Sequence, residues 1–135
     1  GDYVLLELIG SGGGAKVFKA RHKRMDRIVA VKTLPPSAMR DADVVERFHR
    51  EVKTAGKLIH PNIVTAFDAG DDEGVHYLVM EYVDGGDLGQ WIDREKTADI
   101  EQRLDIAVQI ASAEAPHCSV PAPSILCAKT SPSFE

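Results

Sequence analysis

One stretch of helical periodicity, set among five short stretches that alternate apolar and polar residues, constrains the fold of this chain most strongly. Successive side chains of a strand point to opposite faces of a sheet, whereas residues three and four apart share one face of a helix. The alternating stretches are residues 3–9, 16–21, 27–33, 63–67 and 75–80. We therefore predict an α+β fold of five strands, with one helix inserted after the third strand.

The helical stretch has recognisable start and stop signals. Asp43, followed three residues later by Glu46, fits the capping-box pattern of a helix N-terminus. We expect the helix to end at residues 60–62, which read His-Pro-Asn. A single apolar stripe at helical spacing comprises Val44, Phe48, Val52, Ala55 and Ile59. This stripe should pack on the sheet, and the polar residues 68–74 should form the turn between the last two strands.

The bulk composition indicates a globular protein rather than a disordered one. Of the 135 residues, 44% are hydrophobic and 27% are charged, and the length suits one domain or one lobe of a larger protein. The net charge of −5 argues against a nucleic-acid partner, because phosphate backbones bind basic surfaces. No apolar run approaches the roughly 20 residues that cross a bilayer. The first residues do not resemble a signal peptide, so we expect a cytoplasmic location.

The character of the sequence changes after Gly85 and Gly86. Residues 87–95 should form a short helix capped by Asp87. Residues 100–115 should form a longer helix with one apolar face, made by Leu104, Val108 and Ala111. We therefore divide the chain into residues 1–83, a unit of strands with one helix, and residues 84–115, a helical unit.

Residues 116–135 show neither helical nor strand periodicity. They contain four of the seven prolines and no glycine, so we expect an irregular tail. Cys118 and Cys127 both lie in this tail. Neither a second cysteine pair nor suitably spaced histidines accompany them, and a disulfide would be unusual in the cytosol, so we expect free thiols rather than a zinc site.

Residues 10–15, four glycines with Ser11 and Ala15, separate the first two strands, and we call this segment the glycine turn. It is not a Walker A loop, because that motif requires a second glycine followed by Lys and Ser or Thr, whereas this chain continues Ala15-Lys16-Val17. It is not a Rossmann turn either, because residues 16–20 alternate like a strand instead of opening a helix. Two interpretations remain: a loose hairpin loop, or a flap whose backbone N–H groups lie over phosphates.

The third strand and the helix each carry one residue that fits a phosphate ligand. Ala30 and Lys32 share a face of the strand, so a flat ring could approach the small residue while the lysine reaches phosphates of the same ligand. Glu51 lies within the helical stripe, where a carboxylate is costly unless it finds a partner, and Lys32 is the natural one. On these residues alone, a solvated Lys32 and a solvent-reaching Glu51 remain open alternatives.

The ordered set of these features resembles the eukaryotic-like serine/threonine protein kinases of bacteria. The glycine turn, Val29-Ala30-Val31-Lys32, the helical Glu51, His60-Pro61-Asn62-Ile63-Val64 and Leu78-Val79-Met80-Glu81-Tyr82-Val83 follow in that family's order and spacing. The resemblance covers roughly residues 3–112. It implies a kinase N-lobe, which is a five-stranded antiparallel sheet with one helix, followed by the first helices of a helical C-lobe. It also implies the ATP-binding portion of an enzyme that transfers phosphate from Mg-ATP to protein serine or threonine.

The resemblance also implies a role for each site residue. Lys32 holds the α- and β-phosphates and is oriented by Glu51. Val17 and Ala30 sandwich the adenine, Met80 occupies the gatekeeper position, and the residues after it form the hinge to the second lobe. The complete set of expected ATP contacts is Ile9, Gly10, Ser11, Gly12, Gly13, Gly14, Ala15, Val17, Ala30, Lys32, Met80, Glu81, Val83 and Asp87. Glu81 and Val83 contribute backbone groups, and Asp87 lies near the ribose.

The sequence departs from the family pattern in two places. Ala15 stands where the family has its third glycine, which would impair closure of the flap if φ had to be positive there. No His-Arg-Asp or Asp-Phe-Gly sequence occurs, Asn62 is the only asparagine, and Asp105 is the last aspartate, so no metal ligand is assigned. We therefore expect a chain truncated before its catalytic and metal-binding loops and inactive by itself. The alternatives are a non-catalytic nucleotide-binding or regulatory module and a non-functional gene remnant.

Overall fold

A computed structural model of the chain describes residues 1–85, 104 and 107–112. Its strands form one antiparallel five-stranded sheet in the order β1-β2-β3-β5-β4. The strands are β1 Tyr3–Gly12, β2 Ala15–His22, β3 Arg27–Leu34, β4 Ala66–Asp72 and β5 Val75–Glu81. One helix, α1 Ala42–Ala55, is inserted between β3 and β4. The predicted fold, five antiparallel strands with a helix after the third, is confirmed.

Side chains alternate between the two faces of the sheet along β3 and β5, and both faces are apolar. The face toward α1 carries a buried cluster made by Ala30, Leu34, Phe48, Val64, Leu78 and Met80. The opposite face carries a smaller buried cluster made by Ala20, Val29, Val31 and Val79, with Tyr3 and Tyr77 packed against it. Burial of a side chain the size of valine, leucine, phenylalanine or methionine contributes roughly 1.5–3 kcal/mol to the free energy of folding. Helix α1 therefore packs on β3 and β5, the two strands that supply most of the buried residues of this face.

Helix α1 begins and ends earlier than the sequence pattern predicts. The carboxylate of Asp41 accepts hydrogen bonds from the backbone N–H groups of Asp43 and Val44, at 3.0 and 3.3 Å, so Asp41 is the N-cap and the predicted cap, Asp43, was wrong. Asp41 has extended backbone, which lets its carboxylate reach the exposed amides of the first turn.

The C-terminal end of α1 also differs from the prediction. The helix stops at Ala55, and Gly56 follows as its C-cap, so residues 60–62 do not terminate it. Ile59 was expected in the buried stripe but is 89% exposed, whereas Leu58 is buried with Ile63 in a separate small cluster. Because the helix has already ended, helical spacing no longer decides which of these side chains points inward.

Strand β4 lies later in the sequence than predicted. The apolar residues Ile63 and Val64 are buried, but they precede the strand, and the ladder with β5 runs instead through polar residues such as Asp71 and Asp72. The predicted polar turn over residues 68–74 is mostly strand, and only Glu73 and Gly74, with φ of 51° and 77°, make the reversal. Ile63 and Val64 were predicted to form the strand because they are apolar, but their apolar character reflects only their burial. The strand itself is defined by the backbone hydrogen bonds to β5, which begin later in the chain.

A short helical segment is described beyond the sheet. Residues 104 and 107–112 are helical, within the range of the longer predicted helix. The amide of Asn62 donates to Gln109 Oε1 at 3.4 Å, and the Ser112 hydroxyl donates to Asn62 Oδ1 at 3.5 Å, so this segment contacts the loop after α1. In the described part of the chain, no helix has both the length and the apolar character needed to cross a bilayer.

Several predictions fall outside the described residues. They are the short helix over residues 87–95 with Asp87, the irregular tail over residues 116–135, and both cysteines, Cys118 and Cys127.

Candidate functional site

The glycine turn is a tight hairpin rather than a loose loop. β1 and β2 pair up to Gly12 and Ala15, and only Gly13 and Gly14 remain between them, with φ of 58° and 84°. A type I′ hairpin turn requires positive φ at both of its central residues, and glycine adopts this conformation without steric cost. The alternating segments on either side thus continue further into the glycine turn than the sequence pattern indicates.

Ala15 does not restrict this turn. The described non-glycine residues with positive φ are Asp26 and Glu73, so Ala15 has the backbone of an ordinary strand residue. Its side chain is buried, with 7% of its surface exposed. The condition under which the added methyl group would impair the flap, a positive φ at Ala15, is therefore not met in this structure, because the left-handed positions of the turn are taken by Gly13 and Gly14.

The tip of the glycine turn touches the start of α1. A Cβ added at Gly14 would lie 3.1 Å from Val44 Cγ1 and 3.5 Å from the Cβ of Ala38, whereas one added at Gly12 or Gly13 would meet nothing within 4 Å. Only a residue without a side chain lets the backbone of the turn approach the side chains of Val44 and Ala38 so closely. The glycine turn therefore lies over the N-terminal end of α1.

Lys32 and Glu51 form an ion pair between β3 and α1. Lys32 Nζ donates to Glu51 Oε2 at 2.7 Å, and the two side chains are 12% and 7% exposed. Lys32 reaches the helix because it lies on the same face of β3 as Ala30 and Leu34, and Glu51 reaches the sheet because it follows Phe48 by almost one turn of α1. The open alternatives of a solvated lysine and a solvent-reaching glutamate do not apply to this structure.

A small cavity of about 30 Å³ lies between the glycine turn and α1. Its lining includes Gly12 and Gly13 from the turn, Lys32 and Glu51 from the ion pair, and Arg47 from α1. Arg47 was not among the site residues expected from the sequence. Its position one helical turn before Glu51 was the available signal, since residues four apart share a helix face.

A second group of expected site residues meets beside this cavity. Ala30 and Met80 are buried neighbours in register on β3 and β5, and Val17 packs against the same cluster from β2. Gly10 pairs with Val17 across the first hairpin. Ala30 and Met80 are 5% and 7% exposed, so these two residues belong to the buried apolar cluster on the face of the sheet that also carries Lys32.

The remaining expected residues are more scattered. Ile9 and Ser11 lie on the exposed part of β1, and Ile9 is 44% exposed. The backbone N–H of Glu81 donates to Thr65 O at 2.9 Å, so that group is not available to a ligand. Val83 lies beyond the end of β5 and is 45% exposed. Asp87 is outside the described residues.

The residues around the cavity suit a phosphate-bearing ligand. An ammonium held by a carboxylate is a fixed positive charge, and a glycine hairpin allows a close approach to its backbone. Divalent cations need several oxygen or nitrogen ligands, and the described residues contain no group of three or more His, Cys, Asp or Glu side chains that could hold a metal ion.

Comparisons with a family model and with known proteins point to the same family. A family model described as "Protein kinase domain" matches residues 3–115. The chain is 40% identical over 113 residues to serine/threonine-protein kinase PrkC of Bacillus subtilis (strain 168), covering 84% of this chain and 17% of the relative. It is 39% identical over 112 residues to serine/threonine-protein kinase pkn3 of Myxococcus xanthus, covering 82% and 20%.

A third relative, serine/threonine-protein kinase PksC of Streptomyces coelicolor, is 40% identical over 116 residues, covering 83% of this chain and 21% of the relative. The chain thus spans about a fifth or less of the length of each of these three relatives. The match covers most of the chain, including every strand, α1 and the Lys32–Glu51 pair. The chain therefore belongs to the protein kinase domain family and is of the bacterial serine/threonine type.

Proposed function

We propose that this chain is the ATP-binding portion of a serine/threonine protein kinase. The observation that carries the proposal is the buried 2.7 Å ion pair between Lys32 and Glu51 beside the glycine turn. A lysine whose ammonium is held by a helical glutamate is the group with which kinases bind the α- and β-phosphates of ATP. The complete protein would transfer the γ-phosphoryl group to a serine or threonine of a protein substrate.

We propose a role for each of the described residues at the site. Lys32 binds phosphate oxygens, and Glu51 keeps its ammonium from rotating away. The backbone of the glycine turn covers the phosphates after the turn lifts from α1. Val17, Ala30 and Met80 offer the adenine ring an apolar surface. Because Glu81 already uses its N–H, adenine would be recognised by the Glu81 carbonyl and by the backbone of Val83.

Magnesium would accompany ATP and neutralise its phosphates when bound. The described residues supply no cluster of ligands for it, so no role in metal binding is given to any residue. The residues near the cavity act on the phosphates directly, by charge and by hydrogen bonding.

The 135-residue chain by itself should not transfer phosphate. Kinases need an aspartate to accept the proton of the substrate hydroxyl and an asparagine and aspartate for metal. The only asparagine, Asn62, contacts Gln109 and Ser112, and no Asp-Phe-Gly sequence is present.

Calorimetric titration of the chain with ATP, up to millimolar concentration, tests the proposal. Binding by the native chain, lost in Lys32→Met and retained in Lys53→Met, is the expected result, because Lys53 is exposed on α1 and does not line the cavity. If the native chain bound no ATP, or if Lys32→Met bound as well as the native chain, the proposed site would be wrong. Transfer of radiolabelled phosphate from ATP to casein by this chain would contradict the inactivity expected of it.

A further inference from the structure

The Arg47 guanidinium is a cation at the cavity that has no partner among the described residues. Its side chain borders the same 30 Å³ space as Lys32 and the backbone of Gly12 and Gly13. In residues 1–85, 104 and 107–112, the Arg47 side chain forms neither a hydrogen bond nor an ion pair. Arg50, three residues later on α1, is instead paired with Glu46 at 3.0 Å. Arg47 is therefore the arginine of α1 that remains available to an external anion at this cavity.

The charges around the cavity leave an excess of positive charge. The Lys32 ammonium lies against the Glu51 carboxylate, so these two groups largely neutralise each other. Arg47 adds one further positive charge at the same cavity. A polyphosphate chain carries several negative charges, which one ammonium already paired with a carboxylate balances only in part. A planar guanidinium supplies parallel N–H groups that match phosphate oxygens, which a lysine does not.

We propose that Arg47 is a second phosphate-binding residue of this site and binds a phosphate group of the nucleotide together with Lys32. This inference rests on the proposed function. The cavity holds no more than about one or two water molecules, so a phosphate enters only when the glycine turn moves away from α1. The left-handed positions of Gly13 and Gly14 are at the tip that must move. The ligand class recognised by Arg47 is the polyphosphate, not the nucleoside.

The test compares ATP with adenosine as calorimetric ligands of the 135-residue chain. Arg47→Gln removes the charge, Arg47→Lys keeps the charge but removes the planar fork, and Arg50→Gln is the matched control on the same helix. We expect Arg47→Gln to weaken ATP binding by roughly tenfold or more while adenosine binding changes by less than about twofold. Arg47→Lys should recover part of the loss, and Arg50→Gln should bind both ligands as the native chain does.

Other binding results would contradict either the role of Arg47 or the proposed function. If Arg47→Gln binds ATP within about twofold of the native chain, Arg47 does not bind phosphate. An equal loss of ATP and adenosine binding would mean that Arg47 only supports the fold of the site. If the native chain binds ATP no more tightly than adenosine, the cavity recognises no phosphate, and the proposed role of Lys32 fails together with that of Arg47. If Lys32→Met abolishes ATP binding but Arg47→Gln does not weaken it, the inference fails alone. If the native chain binds neither ligand, the proposed function itself is wrong.

Discussion

At the scale of single residues, we expect breaking the Lys32–Glu51 pair to lower the stability of the fold strongly. Both side chains are nearly removed from solvent, so neither charge can be rehydrated when the other is deleted. Leaving a buried charge without its partner is strongly destabilising, whereas replacing both charges by apolar groups is often neutral. The pair therefore contributes to the seating of α1 on the sheet as well as to the proposed chemistry.

We predict that Lys32→Met lowers the free energy of unfolding by about 3 kcal/mol. The double variant Lys32→Met/Glu51→Leu should recover most of that loss, because no buried carboxylate remains unpaired. Urea denaturation followed by circular dichroism measures both values. A single variant as stable as the native chain would show that Glu51 does not depend on Lys32.

Tyr3 makes the stability of the fold depend on pH in the alkaline range. Burial, and then the nearby carboxylate of Asp68, raise the pKa of Tyr3 to about 12, and the Tyr3 hydroxyl donates to Asp68 Oδ2 at 3.2 Å. In the unfolded chain a tyrosine ionises near pH 10. The folded state thus holds the proton more tightly, so this contribution to stability is complete below about pH 10 and is lost as the pH rises toward 12.

Tyr3→Phe should consequently flatten the fall of the melting temperature between about pH 10 and 12. Burial, and then the carboxylate of Asp68, also raise the pKa of Tyr77, which is present in both proteins, so the dependence should shrink rather than vanish. Thermal unfolding at several alkaline pH values measures the effect, and ultraviolet titration of tyrosinate checks its origin. Identical pH profiles for the two proteins would rule out Tyr3 as the group responsible.

At the scale of elements, the three glycines before Ala15 differ in what they require of the backbone. Gly12 has an ordinary φ and open space, Gly13 has a left-handed φ and open space, and Gly14 has a left-handed φ and a close contact with Val44. A side chain in the left-handed region costs roughly 1–2 kcal/mol, and a steric clash adds to that cost.

Alanine substitutions should therefore destabilise the fold in the order Gly12, Gly13, Gly14. We expect a change of less than about 0.5 kcal/mol for Gly12→Ala, about 1 kcal/mol for Gly13→Ala, and about 2 kcal/mol or more for Gly14→Ala. Urea denaturation of the three variants gives the series. Equal effects at Gly13 and Gly14 would mean that the turn does not rest on α1.

The N-terminus of α1 offers a second comparison at this scale. Asp41 accepts two backbone hydrogen bonds, whereas the Asp43 carboxylate lies in the first turn, where it is favoured by the helix dipole. We predict a loss of about 1 kcal/mol for Asp41→Ala and a smaller loss for Asp43→Ala. Chemical denaturation distinguishes the two, and a larger loss at Asp43 would restore the capping box expected from the sequence.

At the scale of the whole molecule, ligand binding should be visible as stabilisation. A ligand that binds only the folded state at ten times its Kd adds about 1.4 kcal/mol to the free energy of unfolding. ATP should therefore raise the melting temperature of the native chain and of Gly12→Ala. It should leave Lys32→Met unchanged, and an equal shift in Lys32→Met would place the nucleotide elsewhere on the molecule.

Much of the architecture was predictable because periodicity reports which face of an element is buried. Five alternating segments and one helical stripe gave the strand count and the place of the helix, and ordered motifs pointed to Lys32 and Glu51. The ends of the elements were less predictable. Ile63 and Val64 are buried without belonging to β4, and Asp41 rather than Asp43 caps α1, because local composition does not specify which backbone hydrogen bonds form.

The amino-acid sequence by itself determined the family and the order of strands and helix along the chain, and it indicated Lys32 and Glu51 as candidate partners. The structure decided that these two side chains pair. Only the tertiary structure decided that the glycine turn rests on Val44, that Ala15 is an ordinary buried strand residue, and that Arg47 borders the same cavity as Lys32. These are contacts between segments distant in the chain. They depend on how α1 is seated on the sheet, and no local periodicity carries that information.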